Sequence, residues 1–458
     1  MMLVPTKLWS LTATEVLSLI KRDLLTVEDY ANALLNRIDS RNSVVKAWQY
    51  FDSDLVLSQA RALDQVPHDQ RGRLHGVAIA IKDIMDTKDM PTEYGSPLYK
   101  GNKPNADASI VEIVRRAGAL IVGKTTTTEF TVLNSGPDTT NPHDPNRTPG
   151  GSSAGSAAAV ADFQVPLSFG TQTGGSVIRP ASYTGIYAMK PTFDTISGGG
   201  IKVASHEFDT IGYFARSMED LKLITDVLSV TEEKAMKEMP LKEHKVGLVK
   251  SPFWPSAGPG TIAAMENAAE ILRNHCVTVV DVEFPDEFND ATALNRMFEV
   301  IFVTDGGVSF YKDYLMDTTK TKLDPDVRAF VEDAPKFPRE EVRQAFDYFA
   351  ALRLVFDKIA SQYSALITPS ATDEAPLGLG DMGSPVFNSV WTAAHMPVIH
   401  VPAFTGPNGM PVGVSLISRR YDDRYLLSIA KILSGPLMSE GSLRQKSVSI
   451  EGDLASET

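Results

Sequence analysis

The strongest constraint on the fold is a run of five apolar residues at positions 77–81 (VAIAI), which ends in the charged pair Lys82 and Asp83. An unbroken apolar run of this length is typical of a strand that is covered on both faces. A second such strand is predicted over residues 119–123, after a predicted helix. Helix and strand patterns alternate along most of the chain, which predicts an α/β fold with a largely buried sheet.

Composition excludes several classes of protein. The 458 residues carry 44 basic and 57 acidic side chains, a net charge of −13, which argues against a nucleic-acid binder. The only cysteine, Cys276, cannot form an intrachain disulfide. No segment approaches the run of about 18 apolar residues that a membrane helix needs, and the first residues lack the apolar stretch of a signal peptide. We therefore expect a cytoplasmic enzyme without a membrane partner.

Capping signals predict helices that begin near Thr12 and Thr26. Further helices are predicted at residues 53–64, 107–117, 217–229, 259–274 and 422–433, and strands at 46–51, 245–250, 276–283, 364–369 and 412–418. Residues 286–365 are predicted to be mostly helical, and the polar tail from 437 to 458 is expected to be solvated. Residues 134–212 are rich in Gly, Ser, Thr, Pro and Asn without repetition, which predicts ordered backbone with tight turns.

Two motifs occur by their letters but lack the structure that their chemistry needs. Residues 118–125 (GALIVGKT) fit the phosphate-loop pattern, but their middle residues favour a strand and a helix precedes them. Residues 151–155 (GSSAG) fit the nucleophile elbow, with Ser153 as nucleophile. The four prolines of residues 137–150 exclude the strand that an elbow requires. Nucleotide binding is not expected, and an α/β-hydrolase stays open as a minor alternative.

Metal-binding spacings such as HExxH or paired CxxC do not occur, so neither a metal nor a cofactor is expected. A glycine-rich row can point successive backbone N–H groups at one spot. An oxyanion hole is therefore predicted from the amides of Thr173, Gly174, Gly175 and Ser176. A nucleophilic serine at the end of this row needs a base. Lys82 is the available candidate, because burial at the end of an apolar strand lowers the pKa of a lysine.

Four blocks of the sequence, in order and spacing, resemble the amidase signature family. They are HGVAIAIKDI (75–84), AGALIVGKTTTTEF (117–130), GGSSAGSAAAVAD (150–162) and GTQTGGSVIRPASYTGIYAMKPT (170–192). Weaker agreement continues through residues 208–221 and 409–418. The resemblance implies one amidase domain over residues 1–458, with a large mixed, twisted sheet covered by helices on both faces. Its signature core would span about 75–221 and its variable, substrate-determining region about 286–410.

The resemblance also implies a triad of two serines and a lysine. Ser176 matches the nucleophile, Ser152 matches a serine whose preceding peptide bond is cis, and Lys82 matches the base; the serines are 176 − 152 = 24 residues apart, as in the family. Neutral Lys82 would take the proton of Ser176 through the Ser152 hydroxyl, and Ser176 would attack the substrate carbonyl. Thr171 and Ser153 match supporting positions.

One block departs from the commoner family pattern GTDTGGSIR. The acid position is Gln172 here, and Arg179 stands three residues after Ser176 instead of two. The acid–arginine pair of that pattern therefore cannot form in the same way, although a version with Gln also belongs to the family. We hypothesise that Asp209 is the partner of Arg179. Whether Gln172 contacts substrate or braces the loop stays open.

Substrate choice in this family depends on variable segments. Pocket candidates are Phe130, Leu133, Asn134, Phe302, Trp391 and Phe404, although large aromatic residues are more often part of the core. The supply of aromatic residues favours hydrophobic amides and carbamates over highly charged ones. The predicted function is hydrolysis of a small amide or carbamate, with ester cleavage as a side activity, and the resemblance leaves a homodimer open.

Two other functions remain open at this point. The family includes the glutamine-hydrolysing subunit of a transamidating complex, which needs partner subunits. A non-catalytic amidase-like scaffold is the other alternative. The sequence speaks against a scaffold, because Lys82, Ser152 and Ser176 fill all three triad positions.

Overall fold

The computed structural model describes residues 7–228 and 239–443. Its helices are α1 (Ala13–Lys21), α2 (Val27–Val45), α3 (Ser53–Asp64), α4 (Ser109–Arg116), α5 (Ala154–Ala161), α6 (Ile178–Thr184), α7 (Met218–Val227), α8 (Pro259–Asn274), α9 (Ala291–Ser309), α10 (Tyr311–Met316), α11 (Pro325–Asp333), α12 (Arg339–Ala360), α13 (Val386–Ala393) and α14 (Asp423–Glu440). Its strands are β1 (Trp48–Phe51), β2 (Ala78–Lys82), β3 (Leu120–Thr125), β4 (Leu167–Gln172), β5 (Tyr187–Lys190), β6 (Thr210–Ala215), β7 (Lys245–Val249), β8 (Thr278–Val282), β9 (Ala365–Pro369), β10 (Val398–Thr405) and β11 (Pro411–Ile417).

These strands form one sheet in the order β1-β3-β2-β4-β6-β5-β10-β11-β9-β7-β8. Strands β3, β2 and β4 are parallel to one another, and so are β9, β7 and β8. The pairings between these two parallel groups, and that of β1 with β3, are antiparallel. The sheet is therefore mixed, which confirms the predicted fold class.

Both faces of the sheet are covered by helices, as the residues of β2 illustrate. Successive side chains of a strand point to opposite faces. Ala78 and Ala80 belong to a core cluster that includes residues of α2 and α5. Ile79 and Ile81 belong to a second cluster, which includes residues of α4 and α7. The unbroken apolar run at 77–81 is explained by this double cover.

Several predicted elements are confirmed, and the capping of α1 shows why. The Thr12 hydroxyl accepts a hydrogen bond from the Glu15 N–H at 3.3 Å, and the Glu15 carboxylate accepts one from the Thr12 N–H at 2.8 Å.

Residues 118–125 begin immediately after α4 and run into β3, so the rejection of a phosphate loop is also confirmed.

The structure corrects other expectations. Residues 134–212 hold α5, β4, α6, β5 and β6, which the prediction of tight turns did not resolve. Neither α13 nor the central strand β10 was predicted. The expectation of a solvated tail from residue 437 is wrong for its first residues, because α14 continues to Glu440 and buries Leu437. The rest of that tail, beyond residue 443, lies outside the described residues.

Candidate active site

The sheet brings Lys82 and Thr171 together at the ends of two neighbouring parallel strands. Lys82 is the last residue of β2, and Thr171 is the penultimate residue of β4. The carboxyl ends of parallel strands meet at one edge of a sheet, which is where ligands bind in many α/β proteins. Lys82 Nζ lies 3.0 Å from Thr171 Oγ1 and 2.8 Å from Ser152 Oγ. The sequence-predicted base and the predicted cis-serine are therefore in hydrogen-bond contact.

Ser152 is held immediately before α5. The Gly151–Ser152 peptide bond is cis, as the resemblance implies. Helix α5 packs closely against the segment before β1, because a Cβ atom at Gly155 would lie 2.1 Å from the Ala47 carbonyl oxygen. From the other side, Arg179 Nη2 donates a hydrogen bond to the Gly151 carbonyl at 2.7 Å. These contacts fix Ser152 relative to β2.

The electrostatics of Lys82 favour its neutral form. The Lys82 side chain is completely buried, and burial lowers its pKa well below the usual value, against the opposing charge of Asp209. Both of its hydrogen-bond partners are hydroxyl groups. A neutral amine has a lone pair, so Lys82 can accept a proton from a neighbouring hydroxyl.

Gln172 braces the loop between β4 and α6. Its side-chain oxygen accepts hydrogen bonds from the N–H groups of Val177 at 2.9 Å and Ile178 at 3.0 Å, at the start of α6. Its side-chain nitrogen donates to the Thr392 hydroxyl on α13 at 3.0 Å. Gln172 is fully buried, and these contacts support the expectation that it braces the loop.

The glycine-rich loop itself is held from two sides. The Thr173 hydroxyl donates a 2.5 Å hydrogen bond to Asp209, and the Thr392 hydroxyl donates one of 2.9 Å to the Gly174 carbonyl. A Cβ atom at Gly175 would lie 3.1 Å from the Asn388 amide nitrogen on α13. Ser176 follows in this loop and is 7% exposed. Helix α13 is thus part of the site, although no sequence motif pointed to it.

The hypothesis that Asp209 pairs with Arg179 is wrong. Arg179 lies in the first turn of α6, and its guanidinium donates to the carbonyl oxygens of Gly151 and Gly383. Asp209 instead accepts hydrogen bonds from the Thr173 hydroxyl and, at 2.7 Å, from the Ala204 N–H. The loop that carries Gly383 passes over α6 and supplies the acceptor, which spacing in the sequence could not show.

The Ser153 hydroxyl both donates and accepts a hydrogen bond with the backbone of β4. Its Oγ donates to the Thr171 carbonyl at 3.2 Å and accepts from the Thr171 N–H at 3.3 Å. The side chain is fully buried and joins α5 to β4. These contacts leave the hydroxyl without the base that a nucleophile elbow needs.

Two of the predicted pocket residues, Trp391 and Phe130, are buried among other aromatic side chains. Trp391 is 2% exposed and packs against Phe284 and Phe356 at ring-centroid distances of 5.9 and 5.6 Å. Phe130 is fully buried against Phe310 at 5.3 Å. Both are core residues in this fold, which corrects their placement in the pocket.

Leu133 and Phe302 are partly buried against apolar clusters, and Phe404 is buried in the core. Asn134 is exposed and lies beside the site. Its carbonyl accepts a hydrogen bond from the Met382 N–H at 3.1 Å, and a Cβ atom at Gly151 would lie 2.0 Å from the Met382 sulfur. Asn134 and Met382 therefore border the segment that precedes Ser152.

A cavity of about 150 Å³ reaches the lysine side of the site. Thr171 and Asp209 line its inner end, and the remaining lining residues come from the segment 193–211. Sequence reasoning singled out Asp209 but missed residues 193–206 as a site element, because they carry no pattern beyond turn composition.

Within residues 7–228 and 239–443, no group of three or more His, Cys, Asp or Glu side chains is placed to hold a metal ion. None of the helices in these ranges combines the length and the apolar character needed to span a bilayer.

Known proteins that resemble this chain in sequence or in structure include amidases and an amidotransferase subunit. The sequence profile of the Amidase family matches residues 29–427. A glutamyl-tRNA(Gln) amidotransferase subunit from Chloroflexus aurantiacus is 29% identical, over 93% of this chain and 96% of its own. A solved amidase structure superposes with a TM-score of 0.82 at 25% identity, covering 92% of this chain and 99% of its own. A fatty acid amide hydrolase superposes with a TM-score of 0.84 at 20% identity, covering 95% and 87%. The chain belongs to the amidase signature family, whose members are hydrolases or amidotransferases that act on carbon–nitrogen bonds.

Proposed function

We propose that this chain is an amidohydrolase that cleaves the carbon–nitrogen bond of a small amide or carbamate through an acyl-enzyme on Ser176. The observation that carries the proposal is the contact between Lys82 and Ser152. Lys82 Nζ lies 2.8 Å from Ser152 Oγ, is completely buried, and has hydroxyl groups as its hydrogen-bond partners. Burial lowers the pKa of Lys82, which favours the neutral amine that can act as a base.

In the acylation step, Ser176 Oγ attacks the substrate carbonyl carbon. Its proton passes to Ser152 Oγ, and the Ser152 proton passes to Lys82 Nζ. The backbone N–H groups of residues 173–176 hold the negative charge on the carbonyl oxygen in the tetrahedral intermediate. When the intermediate collapses, the carbon–nitrogen bond breaks and the proton returns through Ser152 to the leaving nitrogen.

In the deacylation step, a water molecule replaces Ser176 as nucleophile. Its proton follows the same path through Ser152 to Lys82, and the returning proton regenerates the Ser176 hydroxyl. The carboxylic acid is released, so atoms and charge balance over the two steps. Ester cleavage follows the same path with an alcohol as leaving group, which accounts for the expected side activity.

Asp209 has a positioning role in this proposal. Its carboxylate accepts the Thr173 hydroxyl at 2.5 Å and so holds the first residue of the proposed oxyanion hole. Its charge also favours the protonated form of Lys82, which forms transiently in each step. Asp209 thus links the base to the loop that stabilises the intermediate.

The proposal is tested by labelling the purified protein with a fluorophosphonate and identifying the modified peptide by mass spectrometry. We expect the label on Ser176 and its loss in Lys82→Ala. Ser153→Ala is the matched control and should keep the label, because Ser153 contacts backbone groups. A label on Ser153, or folded protein that takes no label, would contradict the proposal.

A second function is favoured by one comparison. The relative from Chloroflexus aurantiacus that aligns over 93% of this chain is named as a glutamyl-tRNA(Gln) amidotransferase subunit. Under this alternative, the same serine would hydrolyse glutamine and the chain would require partner subunits. Turnover of benzamide or phenylacetamide, but not of glutamine, by the purified single chain supports the stand-alone hydrolase. The reverse preference supports the transamidating role.

We also propose that the chain is one domain and acts in the cytoplasm. One sheet joins strands from residue 48 to residue 417, which supports a single domain. Cys276 is the only cysteine, and it is exposed and free. The chain therefore has no intrachain disulfide that would require an oxidising compartment. A homodimer remains a prediction, which sedimentation of the purified protein checks.

A further inference from the structure

A cavity of about 300 Å³ lies between α1 and the segment that leads into β2. Its lining residues are Leu17, Ile20, Lys21, His68, Arg71, Gly72, Arg73 and His75. Five of these eight side chains are basic, and none is acidic. Leu17 and Ile20 contribute hydrocarbon surface from α1. The cavity therefore combines an apolar wall with basic side chains, of which Lys21, Arg71 and Arg73 are cations, whereas burial lowers the pKa of His75.

The cavity is distant from the proposed chemistry. His75 stands before β2 and Lys82 ends this strand, so 82 − 75 = 7 residues separate them. Residues 73–76 form a turn, and the five residues of β2 span about 13 Å between Ala78 and Lys82. The segment is also tied to the start of β3, because the Leu74 N–H donates to the Ala117 carbonyl at 2.8 Å and the Gly76 N–H to Gly118 at 2.9 Å. The cavity wall on this side is thus hydrogen-bonded to the turn that precedes β3.

Nearby acids pair with three of the five basic residues and leave Lys21 and His75 without an ion pair among the described residues. Asp23 lies 2.9 Å from His68 and 3.4 Å from Arg71, and Asp226 lies 3.7 Å from Arg73. A third acid, Asp64, accepts hydrogen bonds from the first N–H groups of α2. None of these acids lines the cavity.

His75 is the buried basic residue of the cavity, and one of its nitrogens lacks a hydrogen-bond partner among the described residues. His75 is 2% exposed, and its Nε2 has no hydrogen-bond partner among the residues that the structure describes. An unsatisfied nitrogen at a buried position is uncommon, because the group has lost its water without gaining a protein contact. Lys21, at the end of α1, adds a cation at the exposed rim.

We propose that this cavity is a second ligand site, separate from the active site, for a small carboxylate with an apolar body such as an aryl or short-chain aliphatic acid. The carboxylate would lie among Lys21, Arg71 and His75, and the hydrocarbon part would contact Leu17 and Ile20. The volume is at the lower end of the range for small-molecule sites. An apolar wall beside cations favours such an acid over inorganic phosphate, which has no apolar part.

The test titrates the full-length protein with benzoate in a calorimeter. Binding with a dissociation constant below about 1 mM is expected, with benzyl alcohol, a neutral analogue that has no amide bond to cleave, at least about tenfold weaker. Lys21→Gln and Arg71→Gln should each weaken benzoate binding at least about fivefold. Lys100→Gln is the matched control, since Lys100 is an exposed lysine outside the cavity lining, and it should leave the affinity unchanged.

Several outcomes would overturn the proposal. No benzoate binding would do so, as would equal affinities for wild type and Lys21→Gln, which would place the ligand elsewhere. Inorganic phosphate that binds as tightly as benzoate would show a bare anion site instead of a carboxylate site. Arg71 donates to the Val66 and Ile20 carbonyls, so Arg71→Gln is checked for folding by circular dichroism. Lys21 is exposed at the end of α1, and its variant decides the question alone if Arg71→Gln does not fold.

Discussion

Two buried lysines lie on neighbouring strands of the sheet and differ in what surrounds them. Lys82 on β2 and Lys124 on β3 are both completely buried. Lys82 contacts the hydroxyls of Ser152 and Thr171, whereas Lys124 lies 3.1 Å from the carboxylate of Asp83. Burial lowers the pKa of both lysines, but at Lys124 the charge and hydrogen bond of Asp83 oppose it directly.

The difference shows that burial alone does not make a lysine a base. A carboxylate at ion-pair distance keeps the ammonium form and turns the lysine into half of a structural pair. Hydroxyl partners do not oppose the lowering of the lysine pKa by burial, and they can pass a proton to the amine. The Lys82 region is therefore suited to chemistry, and the Lys124 region to holding β3 against the loop that follows β2.

The largest expected effect separates the two lysines by activity. Lys82→Met should lower kcat/KM at least about 10⁴-fold, because it removes the proposed base while keeping an unbranched side chain of similar length. The melting temperature should stay close to that of the wild type, since Lys82 has no carboxylate partner at ion-pair distance among the described residues. Steady-state kinetics with benzamide and thermal unfolding measure the two quantities. A variant that keeps more than about a hundredth of the activity would contradict the role of Lys82.

The second effect separates the lysines by stability. Lys124→Met leaves Asp83 buried without its cation, so the free energy of unfolding should fall by about 3–5 kcal/mol. Because Lys124 has no proposed role in the chemistry, kcat/KM of the folded fraction should stay within about tenfold of the wild type. Urea unfolding and kinetics below the transition measure both.

The double variant Lys124→Met/Asp83→Asn is the control for that prediction. It removes the stranded charge and should recover part of the lost stability, because burial already raises the pKa of Asp83 to about 6. If the double variant is no more stable than Lys124→Met, the loss of stability is due to packing. The ion pair with Asp83 would then not distinguish Lys124 from Lys82.

A third effect concerns pH. Protonated Lys82 cannot accept a proton, so kcat/KM should rise with pH through the lowered pKa of Lys82 and then level off. Asp209→Asn removes a charge that raises this pKa, so the rising limb should move to lower pH. The plateau should fall about tenfold, because the charged acceptor of the Thr173 hydroxyl is lost. An unmoved limb would show that Asp209 does not act on Lys82.

The same pKa has a consequence for stability, with a definite sign. The pKa of Lys82 is lower in the folded than in the unfolded chain, so the unfolded chain binds more protons between the two values. The contribution of Lys82 to stability is therefore present above the unfolded pKa and is lost as pH falls towards the folded pKa. Unfolding of Lys82→Met, measured over the same pH range, should lack this component.

The smallest effect concerns the second hydroxyl partner of Lys82. Thr171→Val keeps the shape of the side chain and removes its Oγ1, 3.0 Å from Lys82 Nζ, so kcat/KM should fall about three- to tenfold. Thr210→Val is the matched control, because Thr210 also lines the cavity at the site but donates to the Phe208 carbonyl. Equal losses in the two variants would show that the effect belongs to the cavity and not to Lys82.

The sequence predicted those parts of the fold and site that depend on local pattern. The apolar run before Lys82 predicted a doubly covered strand, and Thr12 predicted the start of α1; both are confirmed. The cis peptide bond before Ser152 agrees with what the resemblance implies. The catalytic roles of Lys82, Ser152 and Ser176 stay predictions, which the kinetic experiments test.

The parts that were missed depend on contacts between distant segments. Asn388 and Thr392 reach the glycine-rich loop from α13, more than 200 residues later in the chain, and no local motif marks them. The Arg179–Asp209 pair was inferred from charge and spacing, but the acceptors of Arg179 are backbone carbonyls, which a sequence does not reveal. Trp391 was placed in the pocket for its aromatic ring, which serves the core instead.

The complete burial of Lys82 also bears on the chain before it has folded. An exposed lysine has a pKa of about 10.4, so at pH 7 only about one molecule in 2,500 carries the neutral amine. In the sequence, Lys82 and Ser152 are 152 − 82 = 70 residues apart. In a chain that has not folded, no hydrogen bond between them is available through which a proton could pass. The serine hydroxyls of a chain emerging from the ribosome are therefore as unreactive as any others. Under the proposed mechanism, the serine is activated only when the folded sheet has brought Lys82 and Ser152 into contact.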